Sequence, residues 1–357
     1  MTTGVDNGRL DVSEPGQLMA KEIAEQPAVL ARIVDEAWPH IQQVAAAIKQ
    51  ANPRFVVFAA RGTSDHAALY AKYLFEIVLG WPAGLASPST MTAYGARPDL
   101  RDVLYVGVSQ SGGSPDLVGT LRTARECGAL TLAVTNAPDS PLSAQAQLHI
   151  DVLAGPERAV AATKSYTAEL LALYLLVDAM RDGDASAAAH LVDATASVVA
   201  DVEPVRAVAA RFRDAERLVV TGRGYAYPTA REAALKLMET SYVSAQAFSG
   251  ADLLHGPMAM LQGGSAVIAI SPGGVSGSAI APVVERLTEI GTNLAVVGES
   301  ATAGPNVARL PLPAGLPAEL SPIVEIVPLQ MLARELAVLR GNDPDAPRGL
   351  RKVTETW

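Results

Sequence analysis

LYVGVSQSGGSPDLVGTLRTARECG, residues 104–128, carries three signals in succession. An apolar run ends near Val108, a polar turn (Ser109-Gln110-Ser111-Gly112-Gly113) follows, and Ser114-Pro115-Asp116 opens a helix that stops near Cys127-Gly128. Serine at the N-cap and proline in the first turn suit a helix start. An almost purely apolar strand feeding such a helix reads as one unit of a parallel sheet covered on both faces.

The same unit recurs. AVIAISPGGV at 266–275 lies opposite LYVGVSQSGG at 104–113, RLVVTGRG at 217–224 opposite FVVFAARG at 55–62, and NLAV at 293–296 opposite TLAV at 131–134. Each pair is offset by 162 residues, and a fourth, LHIDVLAG at 148–155 with ARLPLPAG at 308–315, by 160. A constant offset across separated strands implies a tandem duplication. Long helical patterns alternate with the strands, so the fold class is α/β: two tandem doubly wound modules, each a parallel sheet flanked by helices. The expected divisions are an N-terminal helical segment over 1–45, interrupted near Pro27, a first module over 46–195, a second over 205–340, and a polar tail over 341–357 that closes the site. The Ala- and Asp-rich stretch 183–210 bridges the modules as helix.

Composition narrows the function. With 357 residues, 49% hydrophobic and 18% charged, the chain is no disordered polymer and is long enough for two cores. Residues 262–284 carry no charge, but five glycines and two prolines there read as a buried strand and a loop rather than a membrane span. The opening MTTGVDNGRLDVSEPGQ has no apolar segment of the export type. One cysteine, Cys127, permits no intrachain disulfide and fits a reducing, cytoplasmic compartment. The net charge of −9, with no basic run, argues against a nucleic-acid partner, whereas one phosphorylated small molecule needs only local donors. His40, His66, His149, His190 and His255 never pair with a cysteine or second histidine at ligand spacing, so no metal site is expected.

Ligands of doubly wound sheets bind beyond the carboxyl ends of the strands. There, Ser109, Gln110, Ser111 and Ser114 supply uncharged donors beside a helix N-terminus, a setting that suits phosphate. The sister loop, Ser271-Pro272-Gly273-Gly274, replaces Gln110 and Ser111, so the donor cluster belongs to the first copy. On composition alone an ordinary capped turn stands as the alternative. Arg61-Gly62-Thr63-Ser64 is a second candidate, in which Thr63 or Ser64 also suits a helix cap. In AGPERAVAATKSYTAELL at 154–171, Thr163 and Lys164 either touch a ligand or start the next helix. In the second module Pro228 starts a helix on which Glu232, Lys236 and Glu239 share one face, beside an apolar stripe of Leu235, Met238 and Tyr242. That face is either a solvated charged surface or a catalytic one, with Glu239 moving a proton. His255 precedes Gly256-Pro257 in a turn, open to a structural or an acid–base role.

Together these motifs resemble the sugar isomerase (SIS) family of phosphosugar-binding modules, and within it the isomerase half of glucosamine-6-phosphate synthases. The matching pieces are GTS at 62–64, SQSGGSPD at 109–116, AGPERAVAATKSYTAEL at 154–170, GRGYAYPTAREAALKLMETSYVSAQAF at 222–248, LLHGPMAML at 253–261 and DPDAPRGLRKVTETW at 343–357. The resemblance implies that Ser109, Gln110, Ser111 and Ser114 hold a phosphate with Thr63 or Ser64 nearby, and that Val160 touches the sugar through its backbone. It implies that Glu239 shuttles a proton between C1 and C2, with Lys236 stabilising the enol-like intermediate and Glu232 organising the helix face. His255 would assist ring opening from a neighbouring subunit, making a homodimer with shared sites, and Lys352 would approach the open-chain carbonyl. No cofactor is implied.

The synthases also carry a glutaminase domain with a leading cysteine, and no such machinery is apparent here. The stretch is similar to stand-alone, synthase-like glucosamine-6-phosphate deaminases, which implies conversion of glucosamine 6-phosphate and water to fructose 6-phosphate and ammonia. Ala162 replaces a sugar-contacting serine, Met238 replaces a lysine beside the base, and Arg351 replaces an alanine before Lys352. These departures leave open the choice of amino sugar. The alternatives are a deglycase or isomerase acting on fructosamine 6-phosphates or another amino sugar phosphate, a synthase half fed with ammonia by a separate subunit, and a non-catalytic sugar-phosphate sensor.

Overall fold

A computed structural model describes residues 14–299 and 307–352. Residues 353–357 of the last motif therefore lie outside the described residues. Five parallel strands form the first sheet: β1 (Phe55–Ala59), β2 (Ala83–Leu85), β3 (Val103–Ser109), β4 (Leu130–Thr135) and β5 (Leu148–Asp151), in the order β2-β1-β3-β4-β5. The second sheet holds β6 (Arg217–Gly222), β7 (Ser244–Ser249), β8 (Ala266–Ile270), β9 (Asn293–Gly298) and β10 (Ala308–Pro311), in the order β10-β9-β8-β6-β7, again all parallel. Read from the other edge, the second order is the first one repeated. The duplication seen in sequence is thus a duplication of topology, and in each copy the strand order reverses between the first and third strands. That reversal opens a crevice at the carboxyl ends of the strands.

The central strands are apolar because both faces are covered: every residue of β3 and of β8 is buried. Between the sheets run two helices without a solvent face. All of Lys164–Met180 is buried, as is most of Ser321–Leu339. A helix apolar all round belongs in the middle of a core, and these two weld the modules into one. The helix Thr63–Val78 of the first module meets the helix Ala226–Ser241 of the second, and the latter packs along Ser321–Leu339. There Glu325 accepts hydrogen bonds from Ser321 Oγ at 2.6 Å and Thr229 Oγ1 at 3.1 Å. Burial pushes its carboxyl up to about 7, against those two bonds. Among the described residues no helix is long and apolar enough to cross a membrane.

The N-terminal segment is helical over Gln17–Ala24 and Gln26–Arg32, with Pro27 in the first turn of the second piece, and continues to Ala51. The helices His190–Ala200 and Glu203–Phe212 fill the bridging stretch.

Three local readings need correction. The helix expected from Pro228 begins at Ala226. Its apolar stripe is not Leu235, Met238 and Tyr242. Met238 is exposed, and Ala233, Ala234 and Leu237 are buried together with Glu232 and Lys236, because the charged face itself packs against the helix Thr63–Val78. Finally, the uncharged run 262–284 is β8 followed by the helix Gly274–Ile290, which keeps Pro282 inside it and buries Ile280, Val283, Val284 and Leu287. Burial of that face outweighs the breakers that suggested a loop.

Candidate active site

The crevice at the β1/β3 reversal is a cavity of about 310 Å³. Thr63, Ser64, Ser109, Gln110, Ser111, Ser114 and Val160 from the first module line it, with Lys236 and Glu239 from the second and Lys352 from the tail. Arg61, Gly62, Ala162, Leu350 and Arg351 complete the walls. Two expected residues are absent from the walls. Glu232 is 0% exposed and lies beneath the surface, and His255 sits exposed at the end of the short helix Gly250–Leu254.

The loop after β3 is braced from inside. Ser109 Oγ accepts a hydrogen bond from Gly112 N at 3.2 Å, and Ser111 Oγ accepts one from Gly113 N at 3.3 Å. From the segment after β4, Asn136 N donates to the Gln110 carbonyl and Leu142 N, in the short helix Pro141–Gln145, to the Gly112 carbonyl. Ser114 occupies the N-cap of Pro115–Glu126, but its hydroxyl makes no capping bond, contrary to the capping role read from sequence. Ser114 lines the cavity instead. The helix Thr63–Val78 is capped by Gly62, not by Thr63 or Ser64, so a second helix N-terminus opens on the same cavity. Both termini favour an anion. Arg61 adds a cation, held by Nε and a terminal nitrogen, each 2.9 Å from Oδ2 of the buried Asp116.

Gly112 has φ near +60°, and a Cβ there would lie 2.1 Å from Ser140 Oγ. Gly113 has no such crowding, its hypothetical Cβ meeting Ser111 Oγ at 3.7 Å. Gly112→Ala should therefore displace the loop and weaken sugar-phosphate binding about 100-fold. Gly113→Ala should change it by no more than about twofold. Calorimetric titration of both variants checks this, and equal affinities would contradict it.

The opposite wall is a buried charge chain. Lys236 is 1% exposed, and its Nζ donates to Glu239 Oε2 at 2.6 Å and Thr63 Oγ1 at 3.0 Å, with Glu232 Oε1 at 3.3 Å. Burial works against the ammonium, but Glu232 and Glu239 outweigh it and hold the lysine above its usual range. Lys236 is therefore charged at every working pH. Glu239 keeps 23% of its side chain exposed, on the cavity side.

The tail reaches the cavity along a defined path. Asp345 accepts from Leu18 N and Met19 N, both at 2.8 Å, and the Arg348 guanidinium lies 4.2 Å from the centre of the Tyr242 ring. Lys352 Nζ then donates to Glu157 Oε2 at 2.7 Å. Glu157 also accepts from Thr163 N, Ser165 N and Ser165 Oγ. Burial acts to raise its carboxyl, and Lys352 with these donors brings it below the ordinary value. Thr163 and Lys164 do not touch the cavity. They start the helix Lys164–Met180, and Lys164 Nζ pairs with Glu25 Oε2 at 2.5 Å.

Sequence reasoning passed over Glu157 and Glu169. Glu169 Oε1 accepts from Ser64 Oγ at 2.8 Å, and its other oxygen has no partner. Burial pushes its carboxyl from 4.5 up to about 8, despite the Ser64 bond. Across that window the folded chain keeps a proton that the unfolded chain releases, so stability falls as pH rises through it. Glu169→Gln should raise Tm at about pH 8, and the gain should shrink toward about pH 5. Thermal melts at both pH values test this, and a gain that does not change with pH would refute it.

A family model described as the SIS domain matches residues 49–179 and again 211–340. The glutamine–fructose-6-phosphate aminotransferase (isomerizing) of Methanothermobacter thermautotrophicus is 36% identical over 96% of this chain and 58% of its own length. That of Thermococcus kodakarensis is 35% identical over 94% and 57%. The chain thus spans under three fifths of the length of these curated relatives. Among solved structures, a protein provisionally described as a phosphosugar isomerase from Silicibacter pomeroyi DSS-3 superposes with TM-score 0.84 at 32% identity, covering 92% of this chain and 99% of that one. The C-terminal domain of glucosamine-fructose-6-phosphate aminotransferase from Francisella tularensis superposes with TM-score 0.80 at 25% identity, over 96% and 100%.

Proposed function

The chain belongs to the SIS domain family, and on that premise we propose that it is a sugar-phosphate isomerase-type enzyme that deaminates glucosamine 6-phosphate, with water, to fructose 6-phosphate and ammonia. The observation that carries the reading is one cavity with a braced anion loop on one wall and Glu239, paired with a buried lysine, on the other.

In this account the phosphate sits on the Ser109–Ser114 loop between the two helix N-termini, near Arg61. Anchoring that end places C1 and C2 of the open-chain sugar against Glu239, so remote binding energy serves the chemistry. Glu239 takes the proton from C2 and returns it to C1. The Lys236 ammonium offsets the negative charge that develops on the enol-like intermediate, in a site where charge is poorly screened. Proton return leaves an imine at C2. Water adds to that carbon, the C–N bond breaks, and ammonia leaves. Lys352 stands ready to meet the C1 oxygen once substrate draws it from Glu157. Val160 contributes its backbone, and Glu232 holds Lys236 from below. Cys127, the chain's one cysteine, lies at the end of Pro115–Glu126, outside the cavity.

We also propose that His255 serves ring opening in the cavity of a second copy, which makes the working unit a homodimer. A single-turnover experiment in heavy water tests the isomerase chemistry. Fructose 6-phosphate incubated with enzyme and ammonium should gain deuterium at C1, seen by proton NMR. Tight sugar-phosphate binding with no exchange would point instead to a sensor.

A further inference from the structure

We propose that His66 is a positioning residue for the proton shuttle, holding Glu232 so that the Lys236 ammonium stays on Glu239. The inference rests on the function proposed above. His66 lies in the first turn of Thr63–Val78, and its Nδ1 is 2.7 Å from Glu232 Oε2, with only 8% of the histidine side chain and none of the glutamate exposed. Thr63 Oγ1, from the same turn, donates to Glu232 Oε1 at 3.1 Å. The first module therefore supplies a partner to each oxygen of a carboxylate that belongs to the second.

The consequence follows from competition. A buried carboxylate is costly unless its oxygens are matched. Lys236 has two carboxylates within reach, and it sits closer to Glu239, at 2.6 Å, than to Glu232, at 3.3 Å. With His66 on Oε2 and Thr63 on Oε1, Glu232 has a partner on each oxygen and holds the ammonium only at 3.3 Å. Loss of the Nδ1 donor leaves Oε2 bare and buried, and the nearest remaining cation is Lys236. Movement of that ammonium toward Glu232 withdraws it from Glu239 and from the charge that develops on the intermediate.

The other ionisable groups packed around this quartet are Glu169 and Tyr166 on Lys164–Met180 and Glu325 on Ser321–Leu339. Glu169 bonds Ser64, and Glu325 bonds Ser321 and Thr229. None of them gives Glu232 a donor.

Two polar variants separate this role from a packing role. Asparagine places its amide nitrogen near the position of Nδ1, whereas glutamine carries it one carbon farther. His66→Asn should keep kcat and KM within about threefold of the parent chain. His66→Gln should lower kcat about tenfold at unchanged KM. Equal kinetics in the two variants would overturn the proposal. A crystal structure of each gives a readout that does not need turnover. The Lys236 Nζ–Glu239 Oε2 distance should stay near 2.6 Å in His66→Asn. It should open past about 3.5 Å in His66→Gln. An unchanged distance in His66→Gln would also overturn it. If the parent chain shows no turnover, the proposed function fails while these distances still decide the role of His66.

Discussion

Glu239→Gln is expected to lower turnover by a factor on the order of 10³ or more while sugar-phosphate binding stays largely intact. The asymmetry comes from where the two jobs sit. Under the proposed function affinity comes from the loop after β3 and the two helix N-termini, whereas Glu239 is paired with Lys236 across the cavity. Glutamine keeps the size and a hydrogen-bonding oxygen for Lys236, yet it cannot accept a proton from carbon. Steady-state kinetics alongside calorimetric binding of glucosamine 6-phosphate measure both quantities. Loss of kcat with retained affinity fits an interaction that matters only in the transition state. Full turnover in the variant would remove Glu239 from its role.

Lys236→Met has the next largest expected effect, and on two properties at once. The substitution leaves Glu232 buried at 0% exposure without its ammonium. Breaking a buried pair in this way costs about 3–5 kcal/mol, which a urea unfolding curve reads directly. Turnover should fall with it, because in the proposed mechanism the Lys236 ammonium offsets the charge that develops on the enol-like intermediate. Adding Glu232→Gln to Lys236→Met removes the stranded carboxylate, so the double variant should recover much of the stability without recovering activity. Strictly additive losses would show that the two residues do not act as a pair.

Much of the architecture is legible in the sequence because parallel strands covered on both faces have to be apolar, and such runs at a fixed offset are hard to miss. The strands that escape are the ones that obey this rule least. β2 is the three residues AGL, and β7 is SAQAFS, with Gln246 exposed; both lie at sheet edges, where one neighbour suffices and pattern is weak. The helix Gly274–Ile290 escapes for the opposite reason: its local sequence speaks for a loop, and only the burial of its apolar face makes it helix.

The site divides along the same line. Ser109, Gln110, Ser111 and Ser114 are local, and their spacing beside a helix start suggests an anion. Glu232, Lys236 and Glu239 are legible as one face, but whether that face meets water or another helix is a tertiary fact. What supports the cleft from behind is non-local. Arg61 and Asp116 are 55 residues apart, Ser64 and Glu169 are 105, His66 and Glu232 are 166, and Glu157 and Lys352 are 195. No periodicity connects such pairs. The one available signal is an acidic residue inside an otherwise apolar helix, as with Glu169 in Lys164–Met180 and Glu325 in Ser321–Leu339. A charge that far from water implies a partner or a retained proton.

The exposed position of His255 bears on assembly. If it completes a partner's cleft, His255→Ala should slow turnover of the ring-closed sugar, while open-chain analogues of the same phosphate are spared.

The most direct test of the central claim is to mix the purified chain with glucosamine 6-phosphate and assay ammonia and fructose 6-phosphate together. The account predicts that both appear, in equal amounts. Binding of the sugar phosphate with neither product released would contradict it.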